Sequence, residues 1–493
     1  MAQHALNQSP ASPQVDGGDA SGVLWAPVST KVLTRGDRRL EASTFLTDGY
    51  GMREGLEAVD STVTMAAMAQ VWQPGRLKGF QVDPGKGLPF LSAGQVFESQ
   101  PRVRKWLAEA MVPAVSTRYL ESDWLLMSCS GEVGRVTAVY DEHLHKVITH
   151  DLLRVVPRDA DDYGWLYAYM KTRTFYSIAR SSQYGHMIKH LEPEHVMRMP
   201  VAMPDVGIRE RIGADAASAI KMRQDSRAVQ QQADALYATL VNPEGMPRQD
   251  TPFSTVSVTS VLAGRRRLEG QYHRADVLQV EALVDNAGIG TQPLSDLVKS
   301  VTMSNRFKRY FGANGTPYRS ANELFDVNPR VTKRIYAGLL KHPENYMLRA
   351  GEMVMARSGQ TYGLLGRTLV LNENHVGTFG SEDLIRIVPN EDVARTGYLQ
   401  TVLNHVDYGR PRVVRYASGT SVPHLDPPDV REIPIPRFDA AREGEIADLA
   451  DEANRLSAKA DRLETAAVEA AEAAVARLTG RHGSLSLISS DSD

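Results

Sequence analysis

The densest run of reactive side chains is Arg306-Phe307-Lys308-Arg309-Tyr310-Phe311, where cations alternate with rings. A shorter version stands earlier, at Arg76-Leu77-Lys78-Gly79-Phe80. Such a run can set Arg and Lys against phosphates while the rings pack inward or wedge a base; the alternation equally suits a half-buried strand with a basic outer face. Arg135 and Arg367 follow Gly134 and Gly366 at matching places after an expected strand. Glycine there permits a loop laid close against DNA, or a tight hairpin carrying a solvated Arg. Gly185 precedes Lys189 and His190, and Gly419 precedes His424; these histidines can meet a phosphate or base edge, or serve as structural hydrogen-bonding groups. Arg319 beside Ser320 and Arg357 beside Ser358 can make bidentate contacts to guanine or phosphate, and Asn322 can do so for adenine.

Motifs for catalysis are absent. There is no glycine-rich phosphate loop ending in Lys-Ser or Lys-Thr, no HExxH, and no glycine-rich nucleotide fingerprint. Asp426-Pro427-Pro428-Asp429 is similar to the Asp-Pro-Pro-Tyr of adenine methyltransferases, but it lacks the aromatic that stacks on a flipped base and reads as a turn before a strand. The thirteen histidines show no metal-ligand spacing, and the single Cys129 excludes an intramolecular disulfide or a cysteine-based zinc site. The chain is expected to be no enzyme, and to hold neither metal nor cofactor of its own.

The elements that position these residues occur twice. Arg38-Arg39-Leu40-Glu41 returns as Arg266-Arg267-Leu268-Glu269, and Pro89-Phe90-x-Ser92-Ala93 returns as Pro317-Tyr318-x-Ser320-Ala321. Ser130-Gly131 matches Ser358-Gly359, and Asp151-Leu152-Leu153-Arg154-Val155-Val156-Pro157 matches Asp383-Leu384-Ile385-Arg386-Ile387-Val388-Pro389. A period of this size is that of a whole domain. Apolar runs such as Trp124-Leu125-Leu126-Met127 mix with turn residues and a helix at 164–170, so each copy is an α+β domain, expected over 23–205 and 251–436. A disordered arm is expected over 1–22 and a disordered tail over 480–493.

Each copy ends in a Pro-punctuated strand that runs into a long helix, expected over 206–250 with its linker and over 437–479. Ile208, Ile212, Ala216, Ala219, Met222, Ser226, Val229, Ala233, Leu236 and Leu240 step by three or four; so do Ile446, Leu449, Ala453, Leu456, Ala460, Leu463, Ala467, Ala470 and Ala474. These are seams of heptad type, with Asp439 as a cap and Gly480 as a stop. At 1.5 Å per residue each helix is roughly 50 to 60 Å long, longer than the flank of such a domain. The simplest partner of each is the other, pairing as an antiparallel coiled coil.

Charge is uneven. The formal net charge is -3, yet 264–319 holds nine basic against five acidic residues, while 437–478 holds six against ten. No apolar run approaches the ~20 residues of a membrane span and the start has no signal peptide, so a cytoplasmic protein without a membrane is expected. Two related domains on a rigid rod suit two sites at a fixed distance on DNA; because the copies differ, the target is expected to be bipartite and asymmetric.

The resemblance that follows is specific. Leu126-Met127-Ser128-Cys129-Ser130-Gly131-Glu132-Val133-Gly134-Arg135, then the Asp151 phrase, Gly164-Trp165-Leu166-Tyr167-Ala168-Tyr169-Met170, Gly185 to Leu191 and Met199-Pro200 resemble a target recognition domain of the specificity (S) subunit of Type I restriction-modification systems. Met355-Ala356-Arg357-Ser358-Gly359, Gly366-Arg367, Gly419 to Leu425 and Ile433-Pro434-Ile435-Pro436 repeat the pattern. The resemblance implies a subunit that binds double-stranded DNA and chooses the sequence. Two methyltransferase (M) subunits dock on it and use S-adenosylmethionine to methylate adenine; ATP-driven restriction (R) subunits complete the nuclease. The second copy departs by a four-residue insertion between Gly359 and Gly366. Two other readings stay open: a specificity subunit of another phage-defence or DNA-modification system, and a coiled-coil scaffold without DNA recognition.

Overall fold

The computed structural model describes residues 28, 30, 41–185, 189–246, 253–263 and 266–480. The expected arm over 1–22, the tail beyond Gly480, residues 186–188 of the Gly185 motif, linker residues 247–250 and Arg265 lie outside these residues. The chain folds into two compact units, one taking residues up to Lys221 with the chain from Arg462, the other Met222–Asp461. Asp205 and Pro436, the expected domain ends, mark where the chain enters the long helices, and each unit includes part of both.

In the first unit a four-stranded antiparallel sheet runs in the order Ala69–Trp72, Leu152–Pro157, Leu125–Ser128, Val136–Ala138. Leu125, Met127, Leu153 and Val155 face the main core, with Trp165, Tyr169 and Phe175; Leu126 and Leu152 face a second core with Leu91 and Phe97. Side chains alternate along a strand, so a strand covered on both faces reads as an unbroken apolar run. The second unit repeats the sheet with Val298–Met303, Leu384–Pro389, Met353–Ala356 and Thr368–Val370. Met353, Met355, Ile385 and Ile387 lie on its main-core side, and Val354, Ala356 and Leu384 on the other.

The second, smaller sheet of each unit carries the cationic segments. In the first unit it contains Gln81–Val82, Lys105–Leu107, Leu88–Leu91 and Val147–Ile148. In the second, one bulged strand, Phe311–Arg319, does the work of two and meets Ile335 at both Phe311 and Thr316. A two-stranded clip closes each domain, Thr62–Thr64 with Pro200–Ala202 and Thr291–Pro293 with Pro434–Pro436. Proline is tolerated in such short edge strands.

Long helices follow at Val206–Val241 and Ala440–Leu478. Asp439 accepts from the Arg442 amide at 3.1 Å, the cap that the sequence calls for, and Gly480 stops the second helix with a positive φ. The helices pack together with opposite polarity. In the second unit Ser226 Oγ donates to the Ala453 carbonyl at 2.7 Å and Arg223 pairs with Asp461 at 2.6 Å; in the first, Ile212, Ala216 and Ile220 share a core with Ala467, Ala471, Ala474 and Val475. The strict seam is corrected at its ends. Ala470 is exposed where Ala471 is buried, and Tyr237 and Val241 are more deeply buried than Leu236 and Leu240. There the helices also cover a domain, and the buried stripe drifts as a 3.6-residue period drifts against a heptad.

Domain and helix meet through small residues and a few buried polar groups. A Cβ on Gly164 would lie 2.1 Å from the Gly213 carbonyl oxygen, and one on Gly397 would lie 2.8 Å from that of Ala447. Glu464, 1% exposed, accepts from Tyr167 Oη at 2.9 Å and is ion-paired with Lys171. Gln230 holds the matching place in the second unit and contacts Thr401. Removing one member of a buried pair leaves the other uncompensated. Glu464→Ala is therefore expected to destabilise the first unit by about 3 kcal/mol or more, and Glu464→Gln, which keeps an acceptor for Tyr167, by about 1 to 2 kcal/mol. Denaturant unfolding followed by tryptophan fluorescence reads this unit, because Trp25, Trp72, Trp106, Trp124 and Trp165 all precede the first long helix.

Candidate nucleic-acid interface

Residues 76–80 and 306–310, the two cationic segments, lie outside the sheets, and Phe311 opens a strand. Each segment turns its second residue inward: Leu77 packs near Leu107 and Val147, and Phe307 packs edge-on to Tyr346 and Phe379. Arg76, Lys78, Arg306 and Lys308 are exposed, as are the rings of Phe80, Tyr310 and Phe311. Each segment is pinned at its end by one backbone bond, Ala108 N–H to Phe80 O in the first unit and Tyr336 N–H to Tyr310 O in the second. The recurrence thus extends from sequence to hydrogen bonding.

A second tie sits one residue before the repeated aspartate. In the first unit His150 Nδ1 accepts from the Leu77 amide at 3.4 Å, while its other ring nitrogen faces Asp151 at 3.6 Å. In the second, Glu382 holds this place and pairs with Arg309 at 2.5 Å. Arg309, although exposed, is therefore partly neutralised, unlike Arg306 and Lys308.

The aspartates join these segments to the Ser-Gly turns. Asp151 O accepts from Cys129 N, and Asp383 O from Arg357 N. Beyond the turn the frame is again duplicated: Leu191 N–H reaches Cys129 O and Leu425 N–H reaches Arg357 O, while Gly131 N–H reaches Lys189 O and Gly359 N–H reaches Pro423 O. His190 and His424 pair by backbone with Tyr184 and Ser418. Their rings are engaged too, His190 with Ser130 Oγ at 2.8 Å and His424 with Asp426 at 3.7 Å. Lys189 donates to Gly185 O at 2.8 Å from the rim. In each unit a contiguous surface runs from cations, past an acidic residue, to a histidine-bearing loop.

Four arginines are less available than their sequence positions suggest. Arg367 is 2% exposed and lies over the Phe325 ring at 5.7 Å, so it offers no donor to a phosphate in this conformation. Arg135 does the same more openly, over the matching Phe97 at 4.2 Å. Arg319 donates to Pro329 O, and burial pulls its pKa down. Arg357 is clamped by Asp426 at 3.0 Å with Asp383 at 4.0 Å. Asn322 is exposed on a short helix. The sequence reading missed His150, Glu382 and the two aspartates as organisers; the signal was present, since Asp151 and Asp383 open the best-repeated phrase with a charge just ahead of a buried strand.

Among the described residues no group of His, Cys, Asp and Glu could hold a metal ion, and no helix is long and apolar enough to cross a membrane. Burial pushes the Cys129 thiol up to about 12, and Asp151 adds to this, which removes it as a nucleophile.

Two outcomes follow for the surface. Replacing Arg76 and Lys78, or Arg306 and Lys308, by alanine is expected to weaken duplex binding across sequences and to lower the salt slope by roughly one for each phosphate left without its cation, measured by anisotropy over a salt series. Burial holds His150 below the ordinary value of about 6.5; Asp151 opposes this, and Arg76, Arg118 and Arg154 add to it. The unfolded chain takes up the proton first, so the stabilisation from neutral His150 is complete above about pH 6.5 and is lost as pH falls below it. Tryptophan-detected stability is expected to drop over that range, and to drop less in His150→Gln.

No protein-family model and no curated protein matches the chain. Solved structures do. A Type-I restriction-modification system S subunit from M. genitalium is similar at 9% identity and TM-score 0.35, over 85% of this chain and 96% of that one. The HsdS subunit from Thermoanaerobacter tengcongensis is similar at 12% identity and TM-score 0.26, over 85% and 95%. A chain from a structure describing complex assembly and conformational transition of the type I R-M system is similar at 12% identity and TM-score 0.25, over 85% and 97%.

Proposed function

We propose that this chain is the DNA-recognition subunit of a Type I restriction-modification complex, each domain reading one half of a bipartite, asymmetric target. One observation carries the reading. The same backbone frame, running from an exposed Arg-x-Lys segment through an aspartate to a Ser-Gly turn and a histidine loop, is built twice with different side chains at its outer positions. A repeated scaffold with altered outer residues suits two related sites of different sequence. Phosphate contacts by Arg76, Lys78, Arg306 and Lys308 set position, and the turns and loops beside them reach base edges. The motif order supports the assignment to this family.

The chemistry belongs to other subunits in this reading. Methyltransferase subunits, two by the resemblance, dock on the long helices and bind S-adenosylmethionine; ATP is used where restriction subunits join. The chain supplies the address.

Mapping modified adenines across the genome, with and without this gene, tests the reading. Loss of a single bipartite adenine motif on deletion is expected. An unchanged map with the methyltransferase expressed would leave a scaffold as the better account. Exchanging 23–205 for another recognition domain is expected to alter one half of the motif and leave the other unchanged.

A further inference from the structure

The connection after the central strand differs between the copies in a way that the fold does not require. In the first unit three residues take Gly131 to Gly134, and the turn is tight: Ser128 Oγ accepts from Arg135 N at 2.9 Å, and Gly134 N–H reaches Ser128 O. Tyr176 and Ala179 lie directly behind, where a Cβ on Gly134 would meet them at 3.1 and 3.4 Å. In the second unit seven residues span Gly359 to Gly366, and a Cβ on Gly366 would meet Val413 at 2.7 Å, Leu425 at 3.4 Å and the guanidinium of Arg410 at 3.8 Å.

Arg410 does what a ring could not. It is 8% exposed, and its guanidinium donates to Leu365 O at 2.8 Å and to Thr361 O and Gly363 O at 3.2 Å each. Three carbonyls of the inserted loop are thereby fixed by one planar fork, a geometry lysine cannot copy. Gly363 N–H closes onto Gln360 O at 2.8 Å, and Gln360 Nε2 reaches Ser421 O on the histidine loop. Held at the apex is Tyr362, 66% exposed. An ordered loop has an entropic cost, and here the ordering delivers an aromatic ring with a hydroxyl to solvent, where it adds little to the fold. The loop continues the surface described above, since Ser358 Oγ bonds Asp383 at 3.3 Å and the adjacent Glu382 holds Arg309.

We propose that Tyr362, on its Arg410-braced loop, is a base-contacting residue for the half-site read by the second unit, without a counterpart in the first. The proposal rests on the DNA-recognition reading. A rigidly presented ring can stack on a base or press on a thymine methyl, and its hydroxyl can bond a base edge. Preorganisation by Arg410 makes such a contact selective, because a displaced base cannot be followed by the loop.

The test is the genomic adenine map in cells carrying the full-length chain with Tyr362→Ala. A shortened variant, lacking residues 360–363 and carrying Arg410→Tyr, restores the arrangement of the first unit. Both are expected to relax base preference roughly tenfold at one or two positions of a single half, with the other half and the amount of folded protein unchanged. Tyr362→Ala that leaves the motif and its methylated fraction unchanged overturns the inference while the function stands. A uniform fall at every site with the motif intact overturns it too. A wild-type chain that specifies no motif at all overturns the functional reading, and the inference with it.

Discussion

Burial of the central strands on both faces governs where this protein can present side chains to a ligand. Leu125–Ser128 and Met353–Ala356 are wholly buried, one face against helices and the other against the second sheet's core. Such strands give no side chain to a ligand except at their ends. The Ser-Gly turns at those ends, and the segments that cross beside them, are therefore where side chains become free to vary. The aspartate carbonyls that tie Cys129 and Arg357 hold turn and segment in register, so a change at an outer residue need not disturb the core.

The duplication shows how far that freedom extends. Backbone hydrogen bonds recur pair for pair, while side chains at equivalent places exchange chemistry: Cys129 for Arg357, His150 for Glu382, Lys189 for Pro423, Tyr176 for Arg410. One of the exchanges, His150 for Glu382, alters whether a neighbouring cation is held. Glu382 draws in Arg309, whereas neutral His150 grips the backbone of its segment. Divergence at fixed geometry gives two units of one fold different surfaces.

Much of this was legible beforehand. Repeated phrases give the domains, since buried strands and their flanking turns constrain many adjacent residues at once. The three-four spacing gives the helices and part of their buried face; Glu464 and Gln230, off the seam, are buried where Leu463 and Val229 are half-buried. The burial of particular cations was not legible. Arg367 and Arg135 look alike in sequence, and both stack on a phenylalanine far upstream, yet only Arg367 is fully covered. Arg357 depends on Asp426, distant in sequence and set in a phrase that reads as a turn. A local pattern can place a charge on a turn, but whether that charge faces water depends on residues the pattern does not contain.

The same limit explains the deepest polar groups. Arg386 is buried with Glu352, its Nε 2.9 Å from the carboxylate, as a buried ion needs. Its counterpart Arg154 is fully buried where the first unit has Trp124 in the carboxylate's place. It is held by the carbonyls of Ile148, Thr149 and Leu152 and lies near Trp72 at 5.6 Å. Burial pulls its pKa down to about 10, which still leaves it charged at neutral pH. Three of the carbonyls around it belong to the segment on either side of His150 and Asp151. Arg154 thereby fixes from within the stretch whose outer residues organise the cationic surface. In the second unit Arg386 reaches instead to Glu352 and Asn345 O, so the equivalent stretch is held by other means, and the two surfaces can diverge without sharing one internal brace.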